Sequence, residues 1–315
     1  MSARFLDQTI AWIVAMMAAA GVVSIAIIGL RHTAKKRDAA EVALMTSAAA
    51  KQADESAAAR DSKDEPAEPE ASGSQPARNA RPATDQRAPR GELWSYSGST
   101  GPDAWADIDP AWKLCGSGKA QSPIDIVDAR INARLKPVKF TYRRSSAEFS
   151  RVGDSFVATI EHGNYVEIDG DRFNLVSISF HTPSEHLLNG LPWEMEVQLH
   201  HRSTTGELAS IAFLGAPGKS PEAVSQLIAS LPRETGDERP VSGVQMRSLI
   251  PERANYFHYV GSETTPPCRE GVQWLVMTES MGMAKSEIDR FVKAAGNNAR
   301  PVQARGSRRV TRSAR

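Results

Sequence analysis

Short runs of alternating apolar and polar residues, each closed by Gly, Pro, Asn or Asp, constrain most strongly what this chain can fold into. They are Phe156–Ile160, Tyr165–Ile168, Phe173–His181, Glu194–His201, Leu208–Leu214 and Val272–Met277. A period of two sends successive side chains to opposite faces, so each run reads as a strand. Helical pattern is confined to short pieces such as Pro221–Leu231 and Lys285–Ala295. The pattern predicts a mainly β (α+β) domain over residues 93–303, with a large, mostly antiparallel sheet and small peripheral helices.

The segments ahead of it read differently. After a flank of residues 1–8, the stretch Thr9–Leu30 carries no charge and ends in Arg31, Lys35, Lys36 and Arg37. That is about the ~20 apolar residues a spanning helix needs, and longer than the ~7–15 of a signal peptide. A core helix would show a polar face, so residues 9–30 are expected to form an uncut, single-pass transmembrane anchor. Residues 31–92 are expected to be a flexible tether, Ala-rich and charged at first, then Pro-rich. From Ser62 to Arg90 there is no aliphatic side chain larger than Ala and no aromatic, so nothing offsets the entropy of ordering. Residues 304–315 hold Arg305, Arg308, Arg309, Arg312 and Arg315 with no acid, and read as a basic disordered tail.

The chain has 315 residues and a formal net charge of +1, room for one large domain with extras and no basic excess for nucleic acid. Two cysteines exclude a disulfide-dense scaffold and any four-cysteine metal site.

The segments WSYSGSTGPDAW (Trp94–Trp105), CGSGKAQSPIDI (Cys115–Ile126), FHTPSEH (Phe180–His186), YVGSETTPPCREGVQW (Tyr259–Trp274) and NARPVQ (Asn298–Gln303) resemble, in order, the α-class carbonic anhydrases. The resemblance covers the globular region and none of the anchor or tether. It implies a twisted sheet with a conical cavity, whose floor in active members holds zinc on three histidines. A catalytic zinc needs three protein ligands and an open position for water, and His-x-His on one strand with a third His on its neighbour makes the tripod.

At those positions the residues differ from the family pattern. Where the family reads Gln-Phe-His-Phe-His, this chain has Ser177-Ile178-Ser179-Phe180-His181, so His181 alone is retained there and Ser179 replaces the first ligand. Gln198 stands at the third ligand position, Ser177 replaces the glutamine that supports the first, and Asn164 aligns with the proton-shuttle histidine. The apolar carbon dioxide pocket is matched by His200, Ser210 and Glu263, with Val272 and Trp274 kept. Glu185 and Thr264, which orient the zinc-bound hydroxide in the family, remain. The cavity is expected to be formed by Tyr96, His162, Asn164, Gln198, His200, Ser210, Glu263, Thr264, Thr265 and Trp274.

The expectation drawn from these substitutions is a non-catalytic relative, a pseudoenzyme with no cofactor and an unidentified protein or small-ligand partner. Two alternatives are enzymes: a rearranged zinc site of His181, His200 and Glu263, and a residual carbonic anhydrase that uses the Gln198 amide oxygen. His186, His201 and His258 are given structural roles. Cys115 and Cys268 align with the pair that bacterial members join by a disulfide, which implies an oxidising compartment such as the periplasm. Only Arg4 precedes the apolar run, against four basic residues just after it, so the charge bias favours a cytoplasmic domain instead. Charge bias is only a tendency whereas the cysteine match is positional, so the domain is expected on the extracytoplasmic, periplasmic side, with the cytoplasmic orientation as the alternative.

Overall fold

A computed structural model describes residues 94–314. The flank, anchor and tether expected over residues 1–8, 9–30 and 31–92 lie outside the described residues. Among the described residues no helix is long and apolar enough to cross a membrane.

The strands in chain order are β1 (Asp125–Ile126), β2 (Arg130–Asn132), β3 (Lys139–Thr141), β4 (Ser145–Val152), β5 (Ser155–Ile160), β6 (Tyr165–Ile168), β7 (Asp171–His181), β8 (Leu187–Leu188), β9 (Met195–Ser203), β10 (Leu208–Pro217), β11 (Glu238–Val244), β12 (Tyr256–Ser262), β13 (Glu270–Met277), β14 (Met281–Met283) and β15 (Thr311–Ser313). Thirteen of them form one sheet, whose main path runs β11-β4-β5-β7-β9-β10-β13-β12-β15-β2. Pairing is antiparallel except where β10 meets β13 and β14, and where β15 meets β2. The expected mostly antiparallel sheet with few small helices is therefore present. Helices cover Glu222–Ala229 and Lys285–Ala295, close to the expected segments.

Register explains how one group of strands makes both a core and a site. Opposed residues of an antiparallel pair share a face. Here Ser179 opposes Gln198, Ser177 opposes His200 and His181 opposes Glu196 across β7 and β9. His200 in turn opposes Ser210 across β9 and β10. One face of the sheet's centre is thus a polar ladder. The alternate residues Ile178, Phe180, Val197, Leu199, Ile211 and Phe213 are buried on the other face in the main core. A register shift between Leu175 and Ser177 keeps the outer end of β7 in step with β9.

Two features bear on the sequence reading: the first corrects the expected disordered tail, and the second agrees with expectation. The tail expected to be disordered forms β15, between β12 and β2, with Val310 buried beside it. Its arginines hold backbone carbonyls: Arg305 Nη1 donates to Val127 O, and Arg308 Nη2 to Ala304 O. The acid-free composition hid a strand because a parallel partner, distant in sequence, satisfies its backbone. The second feature is the disulfide expected from the family resemblance, which joins Cys115 to Cys268 across 153 residues.

Candidate functional site

Strands β5, β7, β9, β10 and β13, with the loop after β12, wall a cavity of about 220 Å³ lined by Ser179, His200, Ser210, Glu263, Thr264 and Thr265 among others. Val176 and Arg202 also line an adjoining surface groove, which contains His162. His162 is thus on the groove rather than the cavity wall.

Directly beneath the cavity lies a hydrogen-bonded chain whose direction can be derived. His181 Nδ1 is 2.9 Å from Asn298 O, and a carbonyl oxygen can only accept, so Nδ1 carries the proton. In the neutral ring His181 Nε2 is then an acceptor. Ser179 Oγ, at 3.0 Å, donates to it. With its hydrogen used, Ser179 Oγ accepts from His200 Nε2 at 2.8 Å, and His200 Nδ1 accepts from Ser210 Oγ at 3.0 Å. Burial lowers the His200 pKa to about 4, so this imidazole is neutral at pH 7. The result is a single-file chain, Ser210 to His200 to Ser179 to His181, from the cavity wall to a buried imidazole.

The Asn298 side chain fixes the far end of that chain. Its Oδ1 accepts from Thr182 N, and its Nδ2 donates to Phe180 O and Asp154 O. Glu185 Oε1 lies 3.5 Å from His181 Nδ1, and both groups are buried.

Gln198 is fully buried, and its Nε2 donates to Glu185 Oε2 at 2.7 Å and Glu196 Oε1 at 2.8 Å. Its Oε1 is buried without a partner among the described residues. Glu185 Oε1 accepts the backbone N–H of Arg300. Glu185 is therefore tied into the floor by Gln198 and Arg300, while Thr264 lines the cavity above. Glu196 accepts both the backbone N–H and Nδ1–H of His186. Burial raises the Glu196 pKa, but the His186 charge and hydrogen bonds outweigh it and hold the carboxyl below its ordinary range. His186 Nε2 continues to Tyr259 OH, and Tyr259 OH to Ser122 Oγ. The structural role expected of His186 is this brace.

Other expected cavity residues take structural roles. Asn164 is fully buried, accepting from Arg143 N and donating to Ser145 Oγ. Trp274 is buried below the wall and donates to Ser262 O. Tyr96 packs edge-on against Trp94, Trp105 and His181. His201, for which a structural role was expected, meets Tyr142 OH through its Nε2. The sequence reading missed Arg300, whose guanidinium donates to Gln121 Oε1, Ser122 O and Cys115 O. NARPVQ was the only signal available for it.

The residues present do not fit the zinc that the family normally carries. The floor offers one imidazole, one hydroxyl and one carboxamide where the tripod needs three imidazoles. The rearranged set fares no better. The Nε2 atoms of His181 and His200 are both engaged with Ser179 Oγ, and Glu263 is paired with Arg269 at 2.6 and 2.9 Å. Among the described residues no three His, Cys, Asp or Glu side chains are arranged to hold a metal ion.

Comparison with known proteins corrects the expectation of a pseudoenzyme. The profile of the eukaryotic-type carbonic anhydrase family matches residues 100–314. A carbonic anhydrase of Neisseria gonorrhoeae is 30% identical over 219 residues, covering 69% of this chain and 86% of that protein. Alpha carbonic anhydrase 5 of Arabidopsis thaliana is 32% identical over 229 residues, covering 69% and 83%. Among solved structures, the α-carbonic anhydrase of Thermovibrio ammonificans, in complex with the inhibitor sulfanilamide, has a TM-score of 0.66 at 35% identity. That match covers 69% of this chain and 98% of the other. Dioscorin complexed with ascorbate has a TM-score of 0.65 at 29% identity, covering 70% and 97%. The curated relatives are named for an enzymatic activity and match nearly the whole globular region, which places this domain in a family of enzymes. The chain belongs to the carbonic anhydrase family of the α type.

Proposed function

We propose that the domain hydrates carbon dioxide, as its relatives' names describe, with a proton relay of its own side chains in place of the tripod. The hydrogen-bonded chain from Ser210 to His181 carries this reading. A water in the cavity adds its oxygen to the carbonyl carbon and passes a proton to the Ser210 end. Each member of the chain hands its own proton onward, and the excess charge comes to rest on His181. Glu185 and Glu196 lie close enough to stabilise the imidazolium there. Neutral His200 can take part because its lowered pKa keeps it unprotonated at pH 7. Bicarbonate leaves, and the relay runs backwards to buffer.

The test is stopped-flow hydration by the full chain. General-base assistance is typically worth ~10²–10⁴-fold, so His200→Ala and Ser210→Ala are each expected to lower the rate ~100-fold. A strong zinc chelator is expected to leave it unchanged. If the chelator abolishes hydration, or if both variants keep the full rate, the relay reading fails.

For the N-terminal region we propose a membrane anchor at residues 9–30 with the domain on the oxidising side, supported by the apolar run and the Cys115–Cys268 bond. Free, reactive thiols at both positions in intact cells would reverse that orientation.

A further inference from the structure

We infer that Ser179 is a covalent nucleophile toward small acyl compounds, with His181 as its base. This rests on the same hydrogen-bonded chain as the hydration reading, but not on carbon dioxide being the substrate. Ser179 lines the cavity, and its hydroxyl donates to His181 Nε2 at 3.0 Å. The other nitrogen of that ring is held by Asn298 O at 2.9 Å, with Glu185 Oε1 at 3.5 Å. A hydroxyl on an imidazole whose far nitrogen is fixed beside a carboxylate is the arrangement that activates serine for acyl transfer. His200 adds a second imidazole on the same oxygen. Its Nε2–H, 2.8 Å from Ser179 Oγ, is placed to turn to the carbonyl oxygen as charge develops there.

With a short-chain ester the steps balance as follows. Ser179 Oγ bonds to the carbonyl carbon as its proton moves to His181 Nε2. The carbon–alkoxide bond breaks, the alkoxide takes that proton and leaves as the alcohol, and the acyl group stays on Ser179. Water then attacks the acyl carbon and gives a proton to His181. The bond to Ser179 Oγ breaks, the serine recovers the proton, and the acid departs. A cavity of about 220 Å³ restricts the acyl group to a short one.

The experiment treats the full chain, with chelator present, with p-nitrophenyl acetate. It reads the nitrophenolate burst and maps acetylated peptides after an acid quench. Acetyl on Ser179 is expected, absent in Ser179→Ala and formed ~100-fold more slowly in His181→Gln. In Ser210→Ala, acetylation persists while hydration falls, which separates this inference from the relay. No adduct on the folded wild-type protein would overturn it. So would an adduct confined to another residue, or equal acetylation of His181→Gln.

Discussion

Both amide hydrogens of Gln198 go to carboxylates, one on Glu185 and one on Glu196, which leaves Oε1 as the buried atom without a partner. An imidazole at this position could still meet Glu196 and would present its other nitrogen to the floor. Ser179→His with Gln198→His should therefore rebuild a tripod around His181, and metal analysis is expected to find about one zinc per chain. Adding Ser177→Gln should tighten binding ~10–100-fold, as supporting hydrogen bonds do. If the double variant takes up no zinc, the floor has drifted from the geometry of its relatives. At this scale the sequence was readable only in part. The period of two in Glu194–His201 sends Gln198 and His200 to one face, and the register of β7 and β9 agrees. That Ser179 bridges two imidazoles depends on rotamers and on Asn298, more than a hundred residues downstream, and no local pattern encodes it. Parity says nothing of loop residues, so His162 fell on the groove.

Among the elements, β6 and the Lys285–Ala295 helix coincide with the expected spans, because alternation and a 3.6-residue period are local signals. Strand β11 escaped notice because Pro240 and Gly243 interrupt its pattern, and it pairs only at the sheet edge, with β4. Strand β15 escaped because its sequence, Thr-Arg-Ser, has no apolar alternation at all. Its position makes a prediction. Deleting residues 304–315 removes buried Val310 and uncovers the edges of β12 and β2. Losing roughly 2–3 kcal/mol should lower the Tm by about 5–10 °C for a domain of this size. Calorimetry of the truncated chain checks it, and an unchanged Tm would mean the strand adds nothing. Gly261 is constrained in another way, because a Cβ there would strike Ser122 Oγ and the Tyr259 ring. Gly261→Ala should break the Ser122–Tyr259–His186 brace and lower the urea midpoint.

For the whole molecule, His200 at the cavity wall and buried His201 set the acid limit. Burial lowers the His200 pKa to about 4 and that of His201 to about 3, whereas both return to roughly 6.5 on unfolding. Across that window the unfolded chain holds more protons, so stability rises with pH. Stability present above pH ~6.5 should drain away as the pH falls toward 4 and then 3. His201→Gln should flatten the decline, as urea midpoints at neutral and mildly acid pH would show. The Cys115–Cys268 bond adds stability of another kind. Closing 153 residues contributes about 5 kcal/mol in the chain-entropy model, and Cys115→Ser with Cys268→Ser should lose much of it.

That bond sits in a cluster with Tyr96 and Trp105, against which Trp94 and Trp112 pack. Disulfides quench indole emission by accepting an electron from the excited ring. Under a reductant gentle enough to leave the sheet folded, the emission of these tryptophans should brighten before any far-ultraviolet signal changes. The domain thus contains its own optical gauge of whether the compartment around it is oxidising.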